Sequence, residues 1–224
     1  MKVSVIIPVY NEENYIDLCL KSLVNQEERP DEIIIVNNNS TDNTVKIAKK
    51  YPVLIVKESK QGMIQARNCG FDKGVNEILA RCDADVILPP FWIKKIRRHF
   101  LKSKIDALTG PVVFYDLPLK TPLYCNAYLK SLNLIQKGNN TLLGPNMIIT
   151  KKIWKKVRSK VCLDNKKVHE DIDLAIHIIR EGGKIIEDRS LIVKASGRRI
   201  KNDPISFFTE YPIRIARTLL YHLP

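Results

Sequence analysis

Short apolar runs alternating with stretches of helical spacing govern what the first 85 residues can fold into. Val3-Ser4-Val5-Ile6-Ile7, Ile33 to Val36, Val53 to Val56 and Ile78 to Ala80 are mostly β-branched and too short for buried helices, so each reads as a buried strand. Between them, Asn11 to Asn25 places Ile16, Cys19, Leu20 and Leu23 on one helical face. The polar turn Asn37 to Asp42 leads into a helix through about Lys50, and Met63 to Lys73 reads as a third helix. This alternation predicts βαβ units and a mainly parallel sheet. Ligands on such sheets bind at the carboxyl ends of the strands. Tyr10-Asn11-Glu12, Asn37 to Asp42 and Asp83 to Asp85 all fall at those ends and are expected to share one crevice.

The second half follows a looser pattern. Pro89-Pro90 opens a helix to about Lys102, and Ile105 to Tyr115 reads as extended with a break at Gly110-Pro111. Thr121 to Gln136 predicts a helix, Asn146 to Thr150 a strand, and the residues around Trp154 a short basic helix. Glu170 to Arg180 predicts a helix stopped by Gly182-Gly183, followed by strands at Lys184 to Ile186 and Leu191 to Val193. Asp203-Pro204 opens a last helix. No internal repeat and no linker divides the chain.

Asp83 and Asp85 stand two residues apart where an apolar run opens into a loop. In an extended strand both side chains point the same way, and two like charges held together suit a hard divalent cation with oxygen ligands. A polar turn leaving a strand is the plainer reading of such a pair taken alone. Composition adds an anionic partner: 37 Lys and Arg face 24 Asp and Glu, for a net charge of +13. The clusters at Lys94 to Lys104 and Lys151 to Lys160 also read as solvated helix faces. Hydrophobic content of 45% is that of an ordinary globular chain. No apolar stretch nears membrane-spanning length, and the N-terminus runs straight into a strand-like segment without a signal-peptide pattern. Five cysteines without a CxxC pair predict reduced thiols in a cytosol.

Taken in order, the motifs resemble the family 2 glycosyltransferases. They are Ser4 to Glu13 with its Pro8-Val9-Tyr10-Asn11-Glu12 core, Ile33 to Val36 with Asn37 to Thr44, and Gly62 with Ala66 to Gly70. Asp83/Asp85, Gly144-Pro145-Asn146 and His169 to Leu174 complete the series, which covers roughly residues 3 to 200. The resemblance implies an α/β chain of GT-A fold: a single Rossmann-like α/β/α sandwich around a mixed, mainly parallel central sheet. A nucleotide-sugar-binding half would span 1–104 and an acceptor-binding half 105–200, with 201–224 as an amphipathic helical tail.

That resemblance also assigns roles. Pro8, Tyr10, Asn11, Glu12, Asn38, Arg67, Asp83, Ala84 and Arg199 would line the nucleotide, Arg199 within Ser196-Gly197-Arg198-Arg199, which resembles a segment that reaches back over the diphosphate with forked donors. Asp85, with Asp83 beside it, would hold Mn²⁺ or Mg²⁺. Gly144 and Asn146 would face the acceptor, and Asp171 with Glu170 would supply the general base, the helix N-terminus keeping Asp171 ionised. Asn37 and Asn38 replace the acidic pair the family keeps, so the base is open: an amide donates as well as accepts. Arg67 either neutralises the Asp83 side or braces the site. Ser40 and Asp42 either serve that loop or cap the next helix. His99, His177 and His222 read as lone helical histidines without a role.

A nucleoside-diphosphate sugar donor and a saccharide or lipid-linked acceptor follow from the resemblance, with transfer by inversion. A cytoplasmic location is expected, with possible peripheral contact on the inner membrane face: Pro204 to Pro224 mixes Phe207, Phe208, Tyr211, Ile213, Ile215, Leu219 and Leu220 with Arg214 and Arg217. The same composition fits a helix packed on the domain. Two rival readings are weaker. A sugar-phosphate nucleotidyltransferase needs a Gly-rich, Arg-containing loop after the first strand, where Pro8-Val9-Tyr10-Asn11 stands. A nucleic-acid or membrane-surface binding protein would account for the charge, but nucleic-acid modules carry interleaved aromatics that this chain lacks.

Overall fold

Alternate residues of β1 (Val3–Val9) divide between two helical layers, the pleat sending odd and even side chains to opposite faces. Val5, Ile7 and Val9 join Leu20 and Leu23 of α1 (Ile16–Val24) and Trp92 and Ile96 of α4 (Trp92–Lys102) in one core. Ile6 joins Phe71 of α3 (Met63–Lys73), Trp154 of α6 (Lys151–Val157) and Leu174 and Ile178 of α7 (Glu170–Arg180) in the other. A strand buried on both faces has no polar positions to alternate, which is why these runs read as continuous apolar segments. The computed structural model describes residues 1–118, 121–136 and 138–222, and only the backbone of 206–208 and 211.

The central sheet orders seven strands as β3 (Leu54–Lys57), β2 (Glu32–Asn37), β1, β4 (Ile78–Arg81), β8 (Met147–Thr150), β6 (Ala107–Thr109) and β9 (Ile185–Glu187). The pairs β3-β2, β2-β1, β1-β4 and β6-β9 are parallel. β8 runs antiparallel to both its neighbours, so Met147 at its start pairs with Arg81 and Thr109 at their ends. The loops after β1, β2, β4 and β6 therefore meet the residues just before β8 along one edge.

Several elements depart from the sequence reading. The first helix starts at Ile16, because Asn11 takes a left-handed φ of 54° and a turn closes on the Glu12 carbonyl. Pro89 to Phe91 likewise form a turn before α4, and α2 is confined to Thr44–Ala48. A second, three-stranded sheet was not foreseen: β5 (Val86–Ile87), β10 (Val193–Ala195) and β7 (Val112–Phe114). Its strands have two or three residues, below the length at which a period-2 pattern registers. That sheet carries the chain straight into α8 (Arg198–Asn202), which was also missed, and it delivers Ser196 to Asp85: the Ser196 N–H donates to the Asp85 carbonyl at 3.2 Å.

The helices expected at Thr121 to Gln136 and Glu170 to Arg180 match α5 (Leu123–Ile135) and α7. α7 ends where Gly182, at φ 73°, adopts the left-handed turn that glycine takes at little cost. The last helix, α9 (Pro204–Tyr221), lies against the domain. Its Thr218 is buried and its Oγ1 accepts the His169 N–H at 2.6 Å, while Ile213, Leu220 and Tyr221 stay exposed. Phe207, Phe208 and Tyr211 lie outside the described side chains. Among the described residues no helix is long and apolar enough to cross a membrane.

Candidate active site

Two charged clusters sit side by side along that edge. The first begins with Asn11, whose short amide side chain tolerates the left-handed conformation. Its Oδ1 accepts the Thr41 N–H at 2.8 Å and its own N–H donates to Ser40 Oγ at 3.2 Å. The turn leaves Tyr10 exposed at the mouth and points Glu12 inward, with 14% of its side chain accessible. Pro8 is buried within β1. Asn38 is 3% exposed and closes the neighbouring loop: its Nδ2 donates to the Glu58 and Lys60 carbonyls, and its Oδ1 accepts the Gly62 N–H at 2.8 Å. Its amide is thus fully engaged within the loop. Asp42 caps α2, accepting the Thr44 N–H at 3.0 Å.

Asp83, Ala84 and Asp85 form the turn from β4 into β5. Each aspartate meets its own arginine. Arg81 Nη2 donates to Asp83 Oδ1 at 2.9 Å, and Arg198 Nε lies 3.1 Å from Asp85 Oδ2. Arg198 also donates to Glu12 Oε1 at 2.5 Å and stacks 4.4 Å over the ring of Tyr15. Arg199, exposed one residue on, adds its charge to the same group. Burial, with Asp83 and Glu12 nearby, pushes the Asp85 carboxyl up to about 6 against the pull of Arg198. Burial likewise raises Glu12. Glu12 Oε2 is buried without a hydrogen-bond partner. Three carboxylates thus share one crevice, with an oxygen left over and a carboxyl reluctant to ionise. Such a donor set fits a hard divalent cation.

The second cluster centres on Arg81, whose side chain is 2% accessible. Besides Asp83 it binds Glu170 Oε1, lies 3.7 Å from Asp171 Oδ1 and reaches Met63 Sδ at 3.3 Å. Arg67, fully buried, donates to Glu170 Oε2 at 2.6 Å and to its carbonyl at 2.8 Å. Of the two readings of Arg67, the geometry is that of the brace: its guanidinium faces Glu170 and Asn68, not open space. Asp171 Oδ2 accepts the Gly144 N–H at 2.7 Å, and Asp171 Oδ1 is buried without a hydrogen-bond partner. A β-carbon on Gly144 would lie 3.0 Å from Arg81 Nη2 and 3.1 Å from Asp171 Oδ1, so only glycine fits without displacing them. Asn146 lies deeper, 0% exposed; Trp92 Nε1 donates to its Oδ1 at 3.0 Å and it donates to the Leu191 carbonyl. It holds the floor of the site.

The two acidic neighbours at the start of α7 respond oppositely to burial. Arg81 and Arg67 overcome desolvation and hold Glu170 well below the ordinary carboxylate range. Burial and the adjacent Glu170 charge push Asp171 well above it. The sequence reading had the helix N-terminus keeping Asp171 ionised. Here desolvation and a like charge outweigh the helix dipole. Asp171 is thereby the stronger base of the pair.

Three of the histidines also differ from their expected isolation. His99 Nε2 lies 2.8 Å from Asp188 Oδ2. His177 and His222 gather around Asp173 between α7 and the end of α9, the one trio of potential metal-ligand atoms within 4.8 Å among the described residues. Arg180 faces His222 Nδ1 at 3.1 Å, and arginine can only donate, so the ring proton sits on Nε2 and goes to Asp173 at 2.8 Å. The trio clamps α9 onto α7. Burial lowers His169 to about 4, which keeps it neutral at pH 7.

Sequence reasoning missed Arg81 as an organising cation, and it placed Arg198 toward the diphosphate without its acidic partners Glu12 and Asp85. Arg81 carried a usable signal, a guanidinium at the end of a buried strand. The pairing of Arg198 with Glu12 joins residues 186 apart and carried none.

Residues 4–154 match the family model described as Glycosyl transferase family 2. An uncharacterized glycosyltransferase, YibD of Escherichia coli, is 36% identical over 110 residues, covering 47% of this chain and 32% of YibD. The chain thus spans well under two thirds of this curated relative. Among solved structures, Staphylococcus aureus TarS in complex with UDP-GlcNAc superposes at a TM-score of 0.70 with 20% identity, over 88% of this chain and 59% of the other. The mannosyltransferase PcManGT from Pyrobaculum calidifontis, in complex with GDP-Man and Mn²⁺, gives 0.67 with 20% identity, over 87% and 56%. At these identities the two structures establish a shared GT-A fold.

Proposed function

This chain belongs to glycosyl transferase family 2, and on that premise we propose that it moves a sugar from a nucleoside-diphosphate donor to an acceptor hydroxyl. The observation that carries the reading is the position of Arg81, which touches Asp83 on one side and Glu170 on the other while lying 3.7 Å from Asp171. One guanidinium thereby couples a candidate donor-side carboxylate to a candidate base.

In this reading Tyr10, Asn11, Glu12 and Ala84 border the nucleotide, with Asn38 and Pro8 supporting their loops from behind. Residues 1–104 contribute the donor side and 105–200 the acceptor side. Asp85 and Asp83 would hold Mn²⁺ or Mg²⁺, which supplies Lewis-acid neutralisation of the departing diphosphate. Arg198 and Arg199 face the same group with forked donors suited to phosphate oxygens. Asp171 takes the acceptor's hydroxyl proton. Its raised proton affinity favours that transfer, and Glu170, kept ionised by two arginines, stabilises the protonated Asp171 that results. A single base opposite the leaving diphosphate implies one displacement and inversion at the anomeric carbon. The five unpaired thiols fit a reducing cytoplasm.

The test is a thermal-shift panel of UDP, GDP, dTDP and CMP, each with and without Mn²⁺, on wild type and Asp85→Ala. A nucleotide at a hundred times its Kd adds about 2.7 kcal/mol. One diphosphate stabilising only the wild type, and only with Mn²⁺, is the expected result. Stabilisation by none of the four overturns the reading.

A further inference from the structure

Three segments remote in sequence bring positive charge to one groove of about 850 Å³: the loop before α3 with Lys60, the loop before α7 with Lys166 and Lys167, and α9 with Arg214. An adjoining hollow of about 510 Å³ shares Lys166 and Lys167 and adds Arg217. Across both, five cations face one carboxylate, Asp164, which is turned onto its own loop, accepting the Lys166 N–H at 2.9 Å. None of the five pairs with a described carboxylate within 4.0 Å.

The groove's scaffold is fixed. Asn165 ties all three segments together: its Oδ1 accepts the Ile64 N–H at 3.0 Å, its Nδ2 donates to Gln65 Oε1 at 2.8 Å, and its carbonyl accepts from Arg214 at 3.0 Å. Lysines on one helix face are commonly solvated. Here like charges from separate segments are held together by half-buried hydrogen bonds, an arrangement that costs repulsion until an anion relieves it. Met63 lines the groove, and its Sδ contacts Arg81, the guanidinium that lies 3.7 Å from Asp171.

We infer that this groove binds phosphate groups carried by the acceptor, holding them along Lys60, Lys166, Lys167, Arg214 and Arg217 while the acceptor's hydroxyl reaches Asp171. The inference rests on the transferase reading for the word acceptor, and on the groove alone for the word phosphate. The groove is open and continues past Lys166 and Lys167 into the adjoining hollow, so it suits a ligand with several phosphates better than a small molecule held on all sides.

The probe is a medium-length inorganic polyphosphate, titrated calorimetrically into the full chain at fixed ionic strength. Lys60→Glu/Lys166→Glu/Lys167→Glu is compared with Lys152→Glu/Lys155→Glu/Lys156→Glu on α6, which changes the net charge equally at another exposed site. The groove variant should weaken binding by about tenfold or more and the α6 variant far less. Equal weakening by both would mean diffuse attraction and overturn the site. Vesicles with 30% anionic lipid and a single-stranded RNA of matched charge form two further arms. Tighter groove-dependent binding of either one than of polyphosphate would overturn a phosphate-bearing acceptor in favour of a membrane or nucleic-acid partner. The groove variant should keep the wild-type nucleotide-dependent thermal shift. If the wild type shows no such shift yet binds polyphosphate through the groove, the transferase reading fails and the anion site stands.

Discussion

Arg198 reaches Asp85 at 3.1 Å and so lays a guanidinium against a carboxylate that is a candidate metal ligand. With Glu12 on its other edge, it supplies the positive charge the acidic crevice requires. A divalent cation and Arg198 are competitors for the same oxygens. Arg198→Ala is therefore expected to tighten Mn²⁺ binding about threefold or more without nucleotide, because the displaced pair is partly buried. The same variant should raise the KM for the donor, since a forked phosphate contact is lost. Isothermal titration with Mn²⁺ reads the first effect directly; weaker Mn²⁺ binding in the variant would refute the competition.

Asp85 gives a pH prediction. Its folded carboxyl titrates near 6, above its ordinary value of 3.8, so the native state holds a proton there that the unfolded chain has released. Stability from this group is therefore full below about pH 4 and declines as pH rises through 6. In chelator-treated protein, Asp85→Asn should stabilise the fold by roughly 1–2 kcal/mol at pH 8, allowing for partial exposure, and by little at pH 4. Denaturant melts at the two pH values check this. At limiting Mn²⁺, activity should fall as pH drops through 6, where the proton competes with the cation for this carboxylate, and saturating Mn²⁺ should move that fall to lower pH.

Glu170 and Asp171 are neighbours in sequence with opposite sensitivities. Glu170→Gln leaves two buried arginines short of a partner and should cost about 3–5 kcal/mol. Asp171→Asn is nearly isosteric and removes a like charge beside Glu170, so stability should hold or rise. Its kcat should nevertheless fall by at least about a hundredfold with nucleotide affinity unchanged, the signature of a lost base. Parallel losses of kcat and nucleotide affinity would argue for a structural role.

Gly144 sets how closely the loop before β8 approaches the charged pair. Gly144→Ala must push Arg81 or Asp171 by a few tenths of an ångström, and overpacking of this kind costs about 1–3 kcal/mol. The expected outcome is a larger drop in kcat than in Tm would suggest. Unchanged kinetics would show that the loop gives way instead.

The clamp on α9 is open to proteolysis. His222→Ala removes the proton donated to Asp173 and the acceptor facing Arg180. Trypsin cleavage after Arg214 and Arg217 should accelerate several-fold as the helix end loosens. An unchanged cleavage rate would place the anchoring in the His169–Thr218 contact instead.

The first half of this chain was legible because its strands are buried on both faces and separated by amphipathic or polar segments. Val3 to Ile7, Ile33 to Val36 and Ile78 to Ala80 each lie within strands of the structure, at the order the alternation predicts. Asp83, Asp85 and Glu12 could be placed near one edge by the same logic, whereas Asp171 was assigned there only by the resemblance. What periodicity cannot reach is pairing. Whether Arg67 meets a ligand or Glu170, and whether Asn38 reads a base or closes a loop, depends on contacts across long stretches of chain. The two-residue β5 escaped for want of length and β10 starts two residues later than its pattern predicts, and with them went the small sheet that brings Arg198 to Asp85.

The antiparallel pairing of β8 with both β4 and β6 has an evolutionary consequence. Thr109 and Arg81 are registered against the same residue, Met147, so the chain between β7 and β8 leaves and returns at two fixed points beside the charged edge. An insertion in the part that holds α5, ahead of the Asn140–Ile185 contact, would therefore alter what faces the charged edge while leaving the rungs of the central sheet in register.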